Sequence, residues 1–144
     1  MPPPLFYVAA TGGGAVLRRY VPLTIGWGAP RVIAAWLFFA LFAALFVWSL
    51  TWFARQKTTI IPDRPARALV LDGPFRFTRN PLYLAMALLT IGVGLWLNTW
   101  WVFLLLLPAV VMVDRFVIAR EEAYLRRRFG AEYDAYTARV RRWL

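Results

Sequence analysis

The sequence predicts an all-α integral membrane protein, and two observations indicate this fold class. Hydrophobic residues make up 61 % of the 144 positions and aromatic residues 17 %, and the mean hydropathy is +0.56, well above the average for soluble domains. The chain also carries uncharged runs long enough to cross the hydrocarbon core of a bilayer. We therefore expect a single membrane domain over residues 1–144, built from helices.

The first half of the chain contains the clearest span. Residues 32–54 form a run of 23 positions without a charge, which is enough to cross a core of about 30 Å with some tilt. The earlier segment 4–17 is apolar too, but it has only 14 residues and carries the glycines Gly12–Gly14. We expect it to be a further crossing, which gives four in all. The alternative is a peripheral segment, which leaves three.

The second half contains an uncharged run that is too long for one crossing. Residues 81–113 hold 33 positions without a charge, roughly half as many again as one crossing needs. Asn98, followed by two interfacial tryptophans, indicates a turn near the middle. The run therefore predicts a helical hairpin with arms at 81–97 and 99–113.

The remaining segment, 114–144, is expected to be cytosolic. The second arm of the hairpin should continue as a helix as far as Phe129, because Gly130 favours helix termination. A final amphipathic helix is predicted from apolar residues that recur at helical spacing, namely Tyr133, Tyr136, Val140 and Trp143. This helix could lie on anionic lipid or close over a site.

Charge sets the expected orientation. The net charge of +10 suits either anionic lipid or nucleic acid, and the long uncharged runs exclude nucleic acid as a partner. Three basic residues lie in 18–31, six in 55–79, none at the hairpin tip and eight from Arg115 onward. The positive-inside rule then puts the 55–79 loop and the C-terminus in the cytoplasm and the tip near Asn98 outside.

Two residue types are missing from the composition, and this limits the chemistry. The chain contains neither cysteine nor histidine, which excludes disulfides, thiolate nucleophiles, imidazole bases and the usual zinc ligands. We expect no metal site. Reactions must depend on carboxylates, arginine, tyrosine, asparagine and the backbone.

The first candidate site lies where the basic loop meets the hairpin. Residues 72–74 form a turn sequence, and Asn80 followed by Pro81 predicts the N-cap and first position of a helix. The positive end of that helix, with Arg79 beside it, suits a carboxylate or phosphate. The alternative is a capped membrane helix whose arginines touch lipid headgroups.

The second candidate is a carboxylate on an apolar helical face. That face is formed by Ile118, Glu122, Leu125 and Phe129. A carboxylate on a packing face needs a partner, which Arg76, Arg79 or a cationic ligand could supply. The alternative is that Glu121 and Glu122 pair with Arg126 and the neighbouring arginines on a solvated helix.

The order and spacing of these pieces resemble the isoprenylcysteine carboxyl methyltransferase and phospholipid methyltransferase family of integral membrane enzymes. The resemblance covers 58–144 and rests on the motifs at 72–76, 79–83, 120–125, 129–130 and 133–136, with Asn98 at the turn of the hairpin. Residues 58–62 also look like the family's bacterial members. The resemblance therefore implies a prokaryotic inner membrane protein whose active site faces the cytoplasm.

The resemblance also implies a cofactor, S-adenosylmethionine, and a set of residues to hold it. By matching position, the cofactor-binding residues are Arg79, Asn80, Pro81, Tyr83, Glu121, Glu122, Tyr133 and Tyr136. Arg76 and Arg115 are candidate contacts to the acceptor, and no residue is assigned as catalytic. The chain departs from the family pattern at Asn80, where eukaryotic members carry His, and at Ala85, where a Gly usually follows the Tyr.

Methyl transfer is a reaction that a chain without cysteine or histidine can carry out. Methyl transfer from a sulfonium is an in-line displacement in which alignment contributes most, and an acceptor that is already a carboxylate or thiolate needs no base. The expected substrate is therefore a hydrophobic small molecule or lipid that reacts from the bilayer. The alternatives are a related lipid or sterol reductase that uses NADPH, and a non-catalytic membrane protein that binds anionic lipid or a partner.

Overall fold

A computed structural model describes residues 3–56 and 68–144. Within these ranges helices joined by loops are the regular structure and no strand is present, so the predicted all-α class is confirmed. The α-helices are α1 (Pro4–Tyr20), α2 (Gly28–Arg55), α3 (Pro81–Trp96), α4 (Trp100–Met112), α5 (Ala119–Phe129) and α6 (Ala131–Arg139). A 3₁₀ turn spans Gly73–Arg76, and a π-helix, Val113–Ile118, joins α4 to α5.

Within residues 3–56 and 68–144, two helices are long and apolar enough to cross a membrane. They are α2, with 28 residues, and the continuous helix Trp100–Phe129, with 30 residues. Helix α3 is apolar but shorter, at 16 residues. The number of crossings therefore stays a prediction, while membrane association is supported by both long helices.

The helices pack in antiparallel pairs, and glycines allow the closest approaches. A Cβ placed on Gly14 of α1 would lie 2.8 Å from the backbone nitrogen of Val102 in α4. A Cβ on Gly92 of α3 would lie 2.6 Å from the Phe39 ring of α2. Small residues are the usual means of bringing helices together in lipid, so these glycines serve helix packing.

One end of the bundle is organised around the turn between α3 and α4. Asn98 has φ of +55°, and its Oδ1 accepts hydrogen bonds from the backbone N–H groups of Ile25 (3.1 Å) and Gly26 (3.0 Å). The guanidinium groups of Arg18 and Arg31 donate to carbonyls at the end of α3. These two cations therefore cap the negative end of a helix dipole.

The opposite end holds the beginning of α3, the end of α2 and the segment that follows α4. Gly73 has φ of +64° and turns the chain beneath Trp52. Tyr133 and Tyr136 of α6 are buried there with Val70 and Phe75. Both candidate sites lie at this end, which is also where α1 begins.

The predicted final helix is wrong beyond Arg139. Helix α6 ends at this residue, and Val140 is extended, with φ of −119° and ψ of 128°. The last residues run as a non-helical tail because their carbonyls bond the loop before α3: Arg79 N–H donates to Arg141 O at 3.1 Å. Tertiary hydrogen bonds have replaced the helical ones that the spacing predicted.

Candidate active site

The beginning of α3 is fastened to the C-terminal tail. Asn80 occupies the N-cap position, but its side chain makes no capping bond. Instead its Nδ2 donates to the carbonyl oxygen of Arg142 at 2.9 Å, and Thr78 Oγ1 donates to the same oxygen at 3.3 Å. The loop, the helix N-terminus and the tail therefore form one hydrogen-bonded unit.

Arg79 and Glu122 meet at this unit. Arg79 Nη1 lies 3.0 Å from Glu122 Oε1, and the two side chains are only 15 % and 12 % exposed. Arg79 lies in the loop just before α3, and Glu122 lies in α5, which continues from α4, so the antiparallel packing of α3 and α4 brings them together. Arg79 Nε is buried and has no hydrogen-bond partner among the described residues. A buried donor without an acceptor is costly, so this nitrogen is a place for an anionic ligand oxygen.

Glu122 has a second cationic partner. Arg142 donates to both of its oxygens, from Nε at 3.0 Å and from Nη2 at 2.6 Å. Arg142 also reaches Asp114, with Nη1 to Oδ2 at 3.1 Å, and Trp143 Nε1 donates to Asp114 Oδ1 at 2.9 Å. Hydrogen bonding to Glu122 raises the pKa of Arg142, so this guanidinium stays charged in the network.

Glu121 is in a different environment from its neighbour. Its Oε1 accepts a hydrogen bond from the Tyr83 hydroxyl at 2.6 Å, and no cation contacts it within the described part of the chain. Burial, together with the charge of Glu122, raises the pKa of Glu121, and the Tyr83 hydrogen bond offsets only part of that effect. Glu121 is therefore a partly buried acid that no cation of the described residues balances.

The alternative pairing of the two glutamates with Arg126 does not occur. Arg126 Nε bonds Asp134 Oδ1 at 2.7 Å on the surface, where both side chains are more than half exposed. The Arg79 partner foreseen for Glu122 is present instead.

Tyr133 and Tyr136 are buried close to Arg79. Both are buried, at 2 % and 4 % exposure. The Tyr136 hydroxyl donates to the Phe75 carbonyl at 2.7 Å, which anchors α6 to the 3₁₀ turn. Burial raises the pKa of Tyr133, and the nearby guanidinium of Arg79 works against that rise.

The other positions named from the sequence are spread around this group. Pro81 is buried at the first position of α3, and Ala85 is fully buried one turn further on. Arg76 is exposed, and the Arg115 side chain is 77 % exposed, 4.0 Å from Asp114. The motif segment 58–62 lies outside the described residues.

Three residues of the network were not foreseen in these roles: Asp114, Arg142 and Trp143. Asp114 lies in the π-helix, whose wider turn, closed by i to i+5 hydrogen bonds, differs from the α-helical spacing used for the sequence. Arg142 lies in a tail that was expected to be helical, and a helix there did not predict its contact with Glu122. The available signal was an arginine pair, Arg141 and Arg142, near the end of a chain with few acids.

Comparison with known proteins gives the family of the chain. A family model for phospholipid methyltransferases matches residues 30–132. An uncharacterized protein of Haemophilus influenzae (strain ATCC 51907 / DSM 11121 / KW20 / Rd) is 40 % identical over 63 residues, which are 44 % of this chain and all of the relative. No solved structure matches significantly. The family match covers well over half of the chain, and the family implies methyl transfer to lipid-type substrates. The chain belongs to the phospholipid methyltransferase family.

Proposed function

We propose that this protein transfers a methyl group from S-adenosylmethionine to a hydrophobic, membrane-embedded acceptor that reacts as a carboxylate or thiolate. The observation that carries the proposal is the buried Arg79 beside two glutamates at the N-terminus of α3, with Arg79 Nη1 3.0 Å from Glu122. A cation and two acids, held together at a membrane helix end, match the two charged groups of the cofactor's amino acid portion.

One donor and one acceptor of this site support the assignment, because each matches a charged group of the cofactor. The cofactor carboxylate needs a donor, and Arg79 Nε is buried without a partner among the described residues. The cofactor ammonium needs an acceptor, and Glu121 has only the neutral Tyr83 hydroxyl as its described hydrogen-bond partner. Charge-assisted hydrogen bonds of this kind are the strongest in proteins, so these two residues would fix the orientation of the cofactor.

The other proposed contacts have supporting roles. Glu122, held by Arg79 and Arg142, orients the Arg79 guanidinium. Asn80 ties the N-terminus of α3 to the tail. Pro81, Tyr133 and Tyr136 are buried at this end of the bundle, and they would line the proposed pocket.

The cofactor supplies an electrophilic methyl group on a sulfonium. The contribution of the chain is to hold donor and acceptor in line and to exclude water, and in favourable cases such alignment lowers a barrier by about 7 to 11 kcal/mol. No base is needed when the acceptor is an anion. Arg76 and Arg115, both exposed at this end of the bundle, are the candidate contacts for that anion.

A second acceptor class is the protonated amine of a phospholipid headgroup. Two observations favour it: the family description and the raised pKa of Glu121, which brings a buried carboxylate closer to the range of a general base. A transfer screen with labelled methyl groups, against hydrophobic acids, thiols and aminophospholipids, decides between the two classes. Product in the acid or thiol fraction supports the anionic acceptor, and product in the aminophospholipid fraction supports the amine.

The test of the cofactor site is the Arg79→Ala variant. Losing the charged hydrogen bonds to the cofactor carboxylate should weaken binding of S-adenosylhomocysteine by about 10- to 100-fold, measured by calorimetric titration of detergent-solubilised protein. Arg126→Ala is the matched control, since Arg126 makes an exposed ion pair with Asp134. Unchanged affinity in Arg79→Ala would remove Arg79 from the proposed site.

A further inference from the structure

Tyr7 of α1 carries a buried hydroxyl that has no hydrogen-bond partner in the part of the chain that the structure describes. The side chain is 2 % exposed, and no hydrogen bond to its hydroxyl exists within the described residues. A tyrosine hydroxyl normally finds a partner when it is buried. A phenylalanine would fill the same apolar space without this cost, so packing does not account for the hydroxyl.

The position of Tyr7 relates it to the site. Tyr7 packs in one cluster with Leu106, Val113 and Ile118, and Tyr83 packs against that same cluster. The Tyr83 hydroxyl bonds Glu121. Leu106 lies within α4, deeper along the hairpin than Glu121. Tyr7 therefore packs on the apolar part of the hairpin that lies between the Tyr83–Glu121 pair and the turn at Asn98.

Helix α1 is not part of the segment that the family model matches, which begins at residue 30. Its packing against α4 is nevertheless close, because Gly14 leaves no room for a Cβ against the backbone of Val102. The helix is thus held in a fixed register, with Tyr7 at the end of the bundle that contains the site.

We propose that the Tyr7 hydroxyl contacts the transferred methyl group and the acceptor atom that receives it. This inference rests on the proposed function. If Arg79 and Glu121 hold the amino acid portion of the cofactor, an acceptor that comes from the bilayer meets the sulfonium on the bilayer side of those residues. Tyr7 offers a polar atom in that otherwise apolar region, and its oxygen lone pairs suit the electropositive sulfonium methyl group.

The test compares two cofactor analogues on the Tyr7→Phe variant. S-adenosylhomocysteine has no group at the position of the methyl, whereas sinefungin carries an amine there. Tyr7→Phe should weaken binding of sinefungin by about five- to tenfold, the size of one hydrogen bond, and should leave binding of S-adenosylhomocysteine within about twofold. Tyr20→Phe is the matched control, since Tyr20 ends the same helix and is 80 % exposed.

Three results would overturn the proposed role of Tyr7. An unchanged ratio of the two affinities in Tyr7→Phe would overturn the role of Tyr7 while the cofactor site stands. A fall in the unfolding temperature of Tyr7→Phe would show that the hydroxyl stabilises the folded chain, and this too would overturn the inference. If the wild-type protein binds neither analogue, the proposed function fails, and the role of Tyr7 fails with it.

Discussion

Glu121 and Glu122 are adjacent in the chain but differ in charge balance. Glu122 lies between two guanidinium groups, at 3.0 Å from Arg79 and 2.6 Å from Arg142. Glu121 has the neutral Tyr83 hydroxyl. Successive helical residues point about 100° apart, so one acid faces the tail and the other faces the bundle. The neighbours therefore differ in their surroundings: Glu122 pairs with two arginines, and Glu121 has no cationic partner among the described residues.

This difference predicts a pH dependence that belongs to Glu121. Its pKa is raised above the ordinary value of 4.5, and the ammonium of a ligand binds only the ionised form. Affinity for S-adenosylhomocysteine should therefore rise as the pH increases above 4.5 and level off once the raised pKa is passed. Glu121→Gln should bind about 10- to 100-fold more weakly on the plateau and lose most of the dependence.

Calorimetric titrations at a series of pH values check this, with Glu132→Gln, an exposed acid of α6, as the control. A Glu121→Gln variant that keeps the wild-type pH profile would show that the titrating group lies elsewhere.

The residues of the site differ in how far the sequence could predict them. A cationic partner for Glu122 could be predicted, with Arg76, Arg79 and a ligand as the candidates, because a carboxylate on an apolar face demands one; the structure selects Arg79. Arg142 could not be predicted. Its role depends on a non-helical tail, and the spacing of Tyr136, Val140 and Trp143 favoured a helix that long-range hydrogen bonds override.

Helix α1 approaches α4 closely at a glycine. Gly14 faces the backbone of Val102, whereas Gly12, half a turn away, has open space where a Cβ would lie. The two positions therefore share a helix and a residue type but differ in their surroundings.

Alanine at each position should have opposite effects. Gly14→Ala forces α1 away from α4 and should destabilise the protein by about 1 to 3 kcal/mol. Gly12→Ala should be neutral or stabilise by about 0.5 to 1 kcal/mol, because alanine favours the helix. Thermal unfolding in detergent measures both variants. A Gly14→Ala variant as stable as Gly12→Ala would contradict the close packing of α1 on α4.

The lengths of the helices were easier to predict than their irregularities. Uncharged runs mark where α2, α3 and α4 lie, because hydrocarbon excludes charge over a defined thickness. The π-helix at Val113–Ile118 leaves no comparable trace, since its residues do not differ in type from those of an α-helix. It affects the site nonetheless, because Asp114 within it binds Arg142 and Trp143.

At the scale of the whole molecule, the two ends of the bundle differ in how their arginines are used. At the turn end, Arg18 and Arg31 bond helix carbonyls. At the site end, Arg79 and Arg142 bond carboxylates, and the sequence places six basic residues in 55–79 and eight from Arg115 onward, against three in 18–31. We propose on this basis that the site end faces the cytoplasm.

Cysteine labelling tests the orientation, since the chain has no native cysteine. Tyr20→Cys, at a residue 80 % exposed at the turn end, should react with a membrane-impermeant maleimide in intact cells. Arg127→Cys, at an exposed position on α5, should react only after lysis. The reverse pattern would invert the topology, and labelling of both in intact cells would contradict a spanning arrangement.

The central claim is that the Arg79 and Glu121 site binds S-adenosylmethionine. Calorimetric titration of the purified wild-type protein with S-adenosylhomocysteine, and separately with NADPH, tests it most directly. We expect one binding site of micromolar affinity for S-adenosylhomocysteine and no saturable binding of NADPH. Selective binding of NADPH, or no binding of S-adenosylhomocysteine by a folded protein, would contradict the claim.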